Sequence, residues 1–130
     1  MKLTRMLVVL SACTGGPLDE YNTGALAIEL ENLGLAYDDA TGWYNGVTEA
    51  SFIVQCSDFV DVGKLVNLAA GYAQESVLLV DARNKAFLIY CSGSRMEALG
   101  YLMHKDISNV GAVLPTVAYT QVGTGVYYTL

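Results

Sequence analysis

The chain has 130 residues, a formal net charge of -6 and charged side chains at only 15% of its positions. This length fits one compact domain, which we place at residues 1–130. The seven Lys and Arg residues are scattered and form no basic stripe, which argues against nucleic acid as a partner. Because so few charges are available to cover the surface, we expect the chain to associate with copies of itself.

Three cysteines and a single histidine limit the metal and disulfide chemistry of the chain. Cys13, Cys56 and Cys91 form no C-x-x-C pair, so the sequence predicts no zinc site and no disulfide framework. We also expect no bound cofactor. Small buried thiols are typical of a reducing cytoplasm. We predict that His104 is a surface residue on a short helix.

The opening segment MKLTRMLVVLSACTGG has two interpretations. Lys2 and Arg5 precede a short apolar run that reaches Cys13, as in a bacterial lipoprotein signal. The stretch RMLVVLSAC also has the pattern of a buried strand that a Gly-rich turn stops. No run approaches the roughly 18 apolar residues of a membrane span, so we expect no membrane partner. Of the two interpretations we favour the strand and a cytoplasmic location.

Two segments have the periodicity of amphipathic helices. The first, residues 19–34, carries acidic residues at its start and ends at Gly34, which suits the position after a helix. The second, residues 57–74, begins with Ser57 as its predicted N-cap. The predicted apolar faces are Leu26, Leu30 and Leu33 in the first helix, and Val62, Leu65, Val66, Ala69 and Tyr72 in the second.

Two hairpins flank the second helix. Asn45-Gly46 is a strong signal for a type I′ turn between strands over residues 35–44 and 47–56. A two-residue turn pairs Tyr44 with Val47 and Gly42 with Glu49. The second hairpin, SVLLVDARNKAFLIYC, turns at the polar loop over residues 82–85.

The remaining segment carries weaker signals. Ser94-x-x-Glu97 has the pattern of a capping box and predicts a short helix carrying Met96, Leu99 and Met103. The tail, residues 110–130, mixes β-branched and aromatic residues with glycines. It suits an edge strand or an arm laid on a neighbouring subunit, and the sequence leaves both open.

The order of these elements predicts an α+β fold. Strand, helix, strand, strand, helix and strand form the ferredoxin-like split, an antiparallel sheet with both helices on one face, followed by extra C-terminal strand or helix elements. The other face of this sheet would be bare, and association of subunits is a common way to bury such a face.

Three short stretches could hold a polar ligand. A phenol and a carboxylate, Tyr44 and Glu49, come close together at the first hairpin. Backbone amides after the first strand could cradle a carboxylate or phosphate, and a polar connection follows the second helix. Each stretch also has a plainer interpretation as solvated surface. The accompanying positions are Thr14, Gly15, Gly16, Thr41, Gly42, Gln74, Glu75 and Ser76.

The stretch TGWYNGVTEASFIVQCSDFVDVGKLVNLAAGYAQESVLLVD resembles the phage S-adenosylmethionine-cleaving enzymes, long called SAM hydrolases and later reassigned as SAM lyases. The similarity covers about residues 1–90, and MLVVLSACTGG is similar to the opening strand and turn of that family. The match includes T-G-x-Y at Thr41, Gly42 and Tyr44, then Glu49 with Ser51-Phe52, and the segment Gln74-Glu75-Ser76.

The resemblance implies a ferredoxin-like fold similar to PII signalling proteins, in a homotrimer that binds substrate between adjacent subunits. It also implies that Tyr44 and Glu49 take the positions of the active-site tyrosine and glutamate, with Glu75 at a second acidic position. The implied reaction converts S-adenosylmethionine to methylthioadenosine and L-homoserine lactone. The alternatives are a hydrolase that uses Glu49 or His104 as general base, and a PII-like sensor that leaves its ligand unchanged.

Overall fold

The computed structural model of the protein describes residues 6–44, 47–93, 95–106, 118–122 and 125–128. The helices are α1, Asp19–Asn32, and α2, Phe59–Gly71. The strands are β1, Met6–Leu10; β2, Tyr37–Tyr44; β3, Val47–Cys56; β4, Ser76–Val80; β5, Lys85–Tyr90; β6, Met96–Tyr101; β7, Met103–Asp106; β8, Ala118–Val122; and β9, Gly125–Tyr128. Neither described helix is long and apolar enough to cross a membrane.

The described strands form one antiparallel sheet in the order β6-β5-β4-β1-β3-β2-β8-β9-β7. Its middle, β4-β1-β3-β2, comes from the predicted β-α-β-β-α-β unit, and the α+β, ferredoxin-like class is confirmed. The apolar run MLVVL forms β1, which pairs with β3 on one side and β4 on the other. A strand flanked on both sides exposes no backbone edge, which suits this continuous apolar sequence.

Both helices pack on the same face of the sheet. Leu26 and Leu30 of α1 and Leu65 of α2 are fully buried in one cluster with Val8 and Val54 of the central strands. Burial of a leucine or valine side chain contributes roughly 1.5–3 kcal/mol, so this shared cluster is the main source of stability. The predicted helical faces are confirmed except at Leu33, which follows α1 and remains 39% exposed.

The helix-free face is only partly open in the single chain. Val80 and Ala86 pair across β4 and β5 on this face and are almost fully buried. Other apolar residues of the same face remain half-buried: Leu7, Val9, Ile53, Leu78 and Leu88. The expectation that this face is bare is therefore wrong where β4 pairs with β5.

The N-cap of α2 is Asp58 and not the predicted Ser57. Asp58 has an extended backbone and accepts a hydrogen bond from the backbone N–H of Asp61 at 3.1 Å. The carboxylate of Asp61 reaches back and accepts from the backbone N–H of Ser57 at 3.0 Å. This reciprocal pair satisfies an amide at the helix start and the amide of the residue before the cap.

The predicted short helix around residues 96–103 is wrong, because this segment forms β6 and β7. Gly100 has a φ of +100°, which no α-helix contains. Residues 96–101 instead pair with the edge of β5, with a register shift at Ala86/Phe87. Tyr90 donates from its hydroxyl to Glu97 at 2.8 Å. Backbone pairing with the open edge of β5 outweighs the local capping pattern. Ser94, the predicted cap, lies outside the described residues.

The C-terminal strands continue the sheet beyond β2. β8 pairs with β2, β9 with β8, and β7 with β9. The described part of the tail thus adds strands to the sheet, but the edge-strand prediction is wrong for it, because β8 and β9 are each paired on both sides. His104 lies in β7 and not on a helix. β6 and β7 are the two outermost strands, although only Leu102 separates them in sequence. Since two successive Cα–Cα steps span less than about 8 Å, the sheet curls until its edges meet at Leu102.

Candidate active site

The strand register brings the predicted ligand-binding stretches to one end of the sheet. β1 runs antiparallel to β3 and β4, so the loop after β1 lies beside the starts of both strands. Gly42 pairs with Glu49 and Tyr44 pairs with Val47, as the two-residue turn predicts. The turn residues Asn45 and Gly46 and the side chain of Tyr44 lie outside the described residues.

Ser11 ties the end of β1 to the start of β3. Its hydroxyl donates to the carbonyl oxygen of Ala50 at 2.7 Å and accepts from the backbone N–H of Cys13 at 2.9 Å. The Ser11 side chain is buried, whereas Cys13 is half-buried and Ala50 is exposed, so removal of the hydroxyl would break two partly buried hydrogen bonds. Because Ala50 is next to Glu49, this contact fixes the loop relative to the candidate carboxylate.

Asp19 fills most of the predicted anion cradle from within the chain. Its carboxylate accepts from the backbone N–H groups of Thr14 and Gly15, each at 2.9 Å, and from the Thr14 hydroxyl at 3.4 Å. Gly15 has a φ of +84°, a conformation that favours glycine. The bond from the Thr14 amide is the largest cause of the lowered pKa of Asp19. An external anion would therefore compete with an internal carboxylate for these two amides.

Gln74 holds the same loop from the other side. Its side-chain nitrogen donates to the carbonyl oxygen of Cys13 at 2.7 Å, which joins the end of α2 to the end of β1. Glu75 is exposed, and its backbone carbonyl accepts from the N–H of Cys91 at 2.9 Å. Ser76 is half-buried at the start of β4, where it pairs with Tyr90. Of these three predicted ligand-binding residues, Gln74 thus uses its side-chain nitrogen to hold the loop after β1.

Glu49 is the carboxylate with the most unusual environment near the loop. The pKa of Glu49 is raised above its ordinary value, first by partial burial of its carboxyl group and then by the negative charge of Asp19. The residue as a whole remains exposed in the single chain. A partly desolvated carboxylate with a second carboxylate nearby is a place where a cation binds favourably, because the cation offsets both penalties.

The side chains of Ser51 and Glu49 lie close over Gly42. A Cβ atom at Gly42 would lie 3.1 Å from the Ser51 hydroxyl oxygen and 3.7 Å from the Cγ of Glu49. The backbone of Gly42 is not in the left-handed region, so no turn conformation requires glycine there. Glycine inside a strand often marks a place where a ligand or another backbone approaches closely. Thr41, its neighbour, is exposed and pairs with Ala50.

Sequence reasoning missed two residues that organise the site. Ser11 is a polar residue at the end of an apolar strand, and its need for buried hydrogen-bond partners was a usable signal. Asp19 was interpreted only as a favourable charge at the start of α1, whereas its carboxylate binds the preceding loop. Across the described residues, no group of three or more His, Cys, Asp and Glu residues could hold a metal ion.

The fold is that of a small α+β protein, and the end of the sheet that carries Glu49 suits a ligand with a positive charge. The sequence model of the S-adenosylmethionine lyase family matches residues 8–130. The chain therefore belongs to the S-adenosylmethionine lyase family and is an enzyme that cleaves S-adenosylmethionine. A comparison with curated proteins finds no match. The family match includes the C-terminal strands, which lie beyond the stretch where the sequence resemblance was evident.

Proposed function

We propose that the protein converts S-adenosylmethionine to methylthioadenosine and L-homoserine lactone. Membership of the lyase family supports cleavage of this substrate. The environment of Glu49, partly buried and close to the charge of Asp19, is the observation that supports a site for its cationic amino-acid arm. We further propose a cytoplasmic location and, from the resemblance to phage enzymes, a role in depriving methylating and restriction enzymes of their cofactor.

The substrate supplies its own nucleophile in this reaction. Its carboxylate oxygen attacks the γ-carbon, a new C–O bond closes the lactone ring, and the C–S bond breaks with its electron pair moving to sulfur. The sulfonium becomes the neutral thioether of methylthioadenosine, and no proton has to be transferred. The enzyme must hold the folded conformer of the arm, and orientation of this kind supplies up to roughly 7–11 kcal/mol in ideal cases.

The charges of the substrate decide where a protein carboxylate belongs. A carboxylate and a sulfonium both disappear as the new bond forms, so a dry pocket favours the transition state over the separated charges. A protein carboxylate beside the sulfur would stabilise the charge that the reaction removes. We therefore assign Glu49 to the α-ammonium group of the substrate, where it favours binding without opposing the reaction.

The remaining predicted positions surround this ammonium site. We propose that Tyr44 orients the methionine arm, and that Thr41 and Gly42 line the space beside Glu49. Glu75 is exposed at the same end of the sheet and suits a second polar contact. The proposed substrate-binding loops are residues 14–16, with Thr14, Gly15 and Gly16, and residues 74–76, with Gln74, Glu75 and Ser76.

We also propose a homotrimer with substrate bound between adjacent subunits. The low share of charged residues, 15%, supports association. The half-buried apolar residues of the helix-free face, such as Val9 and Ile53, give a partner something to cover. Light scattering on the purified chain tests this arrangement, and a monomer at micromolar concentration would overturn it.

A hydrolase is the one rival that a specific observation favours. A carboxylate whose pKa is raised is better suited to take a proton from water, and Glu49 has such a pKa. In that reaction water would attack directly and release homoserine. The two reactions differ in the first product of the amino-acid arm, which is homoserine lactone in the lyase reaction and homoserine in the hydrolase reaction.

The test is to incubate the protein with S-adenosylmethionine and to separate the products by chromatography after short reaction times. We expect methylthioadenosine and homoserine lactone in equal amounts from the earliest time point. The Glu49→Gln variant should lose most of this activity, whereas Glu31→Gln changes a carboxylate that accepts from Tyr37 at 3.0 Å and should retain it. Wild-type protein that releases no methylthioadenosine would refute the proposed function, and full activity of Glu49→Gln would remove that residue from the site.

A further inference from the structure

Two serines are the buried polar residues of the described chain, and their hydroxyl groups differ in what they bind. Ser11 and Ser51 are each only 5% exposed. The Ser11 hydroxyl bonds to Ala50 and Cys13, whereas the Ser51 hydroxyl has no hydrogen-bond partner among the described residues. Buried polar groups in native proteins are nearly always paired, so the Ser51 hydroxyl needs an explanation, and a role in binding or catalysis is one that such groups often have.

Ser51 lies next to the candidate carboxylate on the sheet. It follows Glu49 by two residues in β3, and side chains two residues apart in a strand occupy the same face. A Cβ at Gly42 would lie 3.1 Å from the Ser51 hydroxyl oxygen and 3.7 Å from the Cγ of Glu49, so both side chains lean towards one point over β2. The Ser51 oxygen is not fully enclosed by the chain, which leaves it accessible to a ligand held at Glu49.

We infer that the Ser51 hydroxyl binds the carboxylate of the substrate and orients it towards the γ-carbon. This inference rests on the proposed function, in which Glu49 binds the α-ammonium group. The ammonium and the carboxylate are attached to the same carbon of the substrate, so a ligand held at Glu49 places its carboxylate beside the next side chain on that face of β3.

The other donors at this end of the sheet support the choice of Ser51. The backbone N–H groups of Thr14 and Gly15 already bind the carboxylate of Asp19, each at 2.9 Å. The Gln74 side-chain nitrogen already donates to the carbonyl oxygen of Cys13. The Ser51 hydroxyl, in contrast, has a hydrogen to donate without breaking a bond within the described chain.

A single neutral donor suits a carboxylate that must also act as a nucleophile. One carboxylate oxygen attacks the γ-carbon, and the other becomes the carbonyl oxygen of the lactone. A hydroxyl that donates to the second oxygen fixes the direction of the group and leaves the first oxygen free to form the new C–O bond. The same hydrogen bond persists in the lactone, because a carbonyl oxygen also accepts.

The first test compares the two buried serines by thermal unfolding. Ser51→Ala removes a hydroxyl that has no partner within the described chain, so it should not lower Tm, whereas Ser11→Ala removes two hydrogen bonds and should lower it. A group kept for binding at the expense of stability has this behaviour. A fall in Tm as large as that of Ser11→Ala would show that the Ser51 hydroxyl has a structural role and would overturn the inference.

The second test measures cleavage of S-adenosylmethionine by the same variant. Loss of a hydrogen bond to a charged group should lower kcat/KM of Ser51→Ala about tenfold to hundredfold. Ser57→Ala is the matched control, because it makes the same chemical change at an exposed position before α2 and should keep the wild-type kcat/KM.

The third test asks which group of the substrate Ser51 binds. The thioether analogue of the substrate lacks the positive sulfur and serves as an inhibitor, with its carboxylate either free or as a methyl ester. Ser51→Ala should weaken inhibition by the free acid about tenfold and inhibition by the ester much less, because an uncharged ester accepts a weaker hydrogen bond.

The outcomes separate this inference from the proposed function. If the wild type releases no methylthioadenosine from S-adenosylmethionine, the proposed function fails, and the inference fails with it. If the wild type is active but Ser51→Ala keeps the wild-type kcat/KM, only the inference about Ser51 fails. Equal weakening of inhibition by the acid and the ester would also refute the contact between Ser51 and the carboxylate.

Discussion

Ser11 gives the sharpest stability prediction, because its hydroxyl makes two contacts from an almost fully buried position. Ser11→Ala removes the acceptor of the Cys13 N–H and the donor to the Ala50 carbonyl. A typical hydrogen bond contributes about 0.5–1.5 kcal/mol, so loss of these two partly buried bonds should lower the free energy of unfolding by about 1–3 kcal/mol. For a chain of this length, that corresponds to a fall in Tm of roughly 4–11 °C.

The assay is urea and thermal unfolding at one fixed protein concentration, because association with other subunits also contributes to apparent stability. Ser57→Ala is the control, since Ser57 is exposed in the connection before α2 and should change the stability by less than about 0.5 kcal/mol. We also expect Ser11→Ala to lose activity below its melting range, because the loop after β1 is no longer fixed beside Ala50. A stability change as small as that of Ser57→Ala would refute this account of the loop.

Three further predictions concern ionisation. The pKa of Glu49 is raised in the folded state, so the ionised carboxylate destabilises the fold at pH values above its unfolded-state pKa. Glu49→Gln should therefore raise Tm at pH 7 and leave it unchanged near pH 3. A variant with the wild-type Tm at pH 7 would contradict this. Asp19→Asn should lower the pKa of Glu49, measured by carbon NMR of its carboxyl group, more than Glu20→Gln does. An equal effect of the two variants would show that the charge of Asp19 does not act on Glu49 more strongly than that of Glu20. Burial raises the pKa of Cys56 to about 12, so a thiol reagent at pH 8 should leave Cys56 unmodified until urea unfolds the chain; rapid labelling in the native protein would be inconsistent with this.

Local signals predicted the first hairpin and the helix faces correctly. A two-residue turn fixes the register of both strands, so the pairing of Gly42 with Glu49 could be predicted without knowledge of the rest of the sheet. The apolar positions Leu26 and Leu65 repeat with the helical period and are buried as expected. These features depend on neighbours in sequence, which is why the sequence alone was sufficient.

Features that depend on distant pairing could not be predicted. The segment that forms β6 contains a capping pattern and helix-forming residues, but the open edge of β5 decides its conformation. The pairing of Thr120 with Gly42 joins residues far apart in sequence, and no local pattern of the tail indicates it. The contacts of Asp19 with the amides of Thr14 and Gly15 depend on how the loop turns before α1.

The most direct test of the account is the origin of the oxygen atoms in the first product. S-adenosylmethionine is cleaved in water enriched in oxygen-18, the reaction is quenched within a few turnovers, and the amino-acid product is analysed by mass spectrometry. Attack by the substrate's own carboxylate predicts homoserine lactone without label, followed only later by labelled homoserine from slow ring opening. Prompt release of labelled homoserine, with no lactone before it, would contradict the intramolecular reaction.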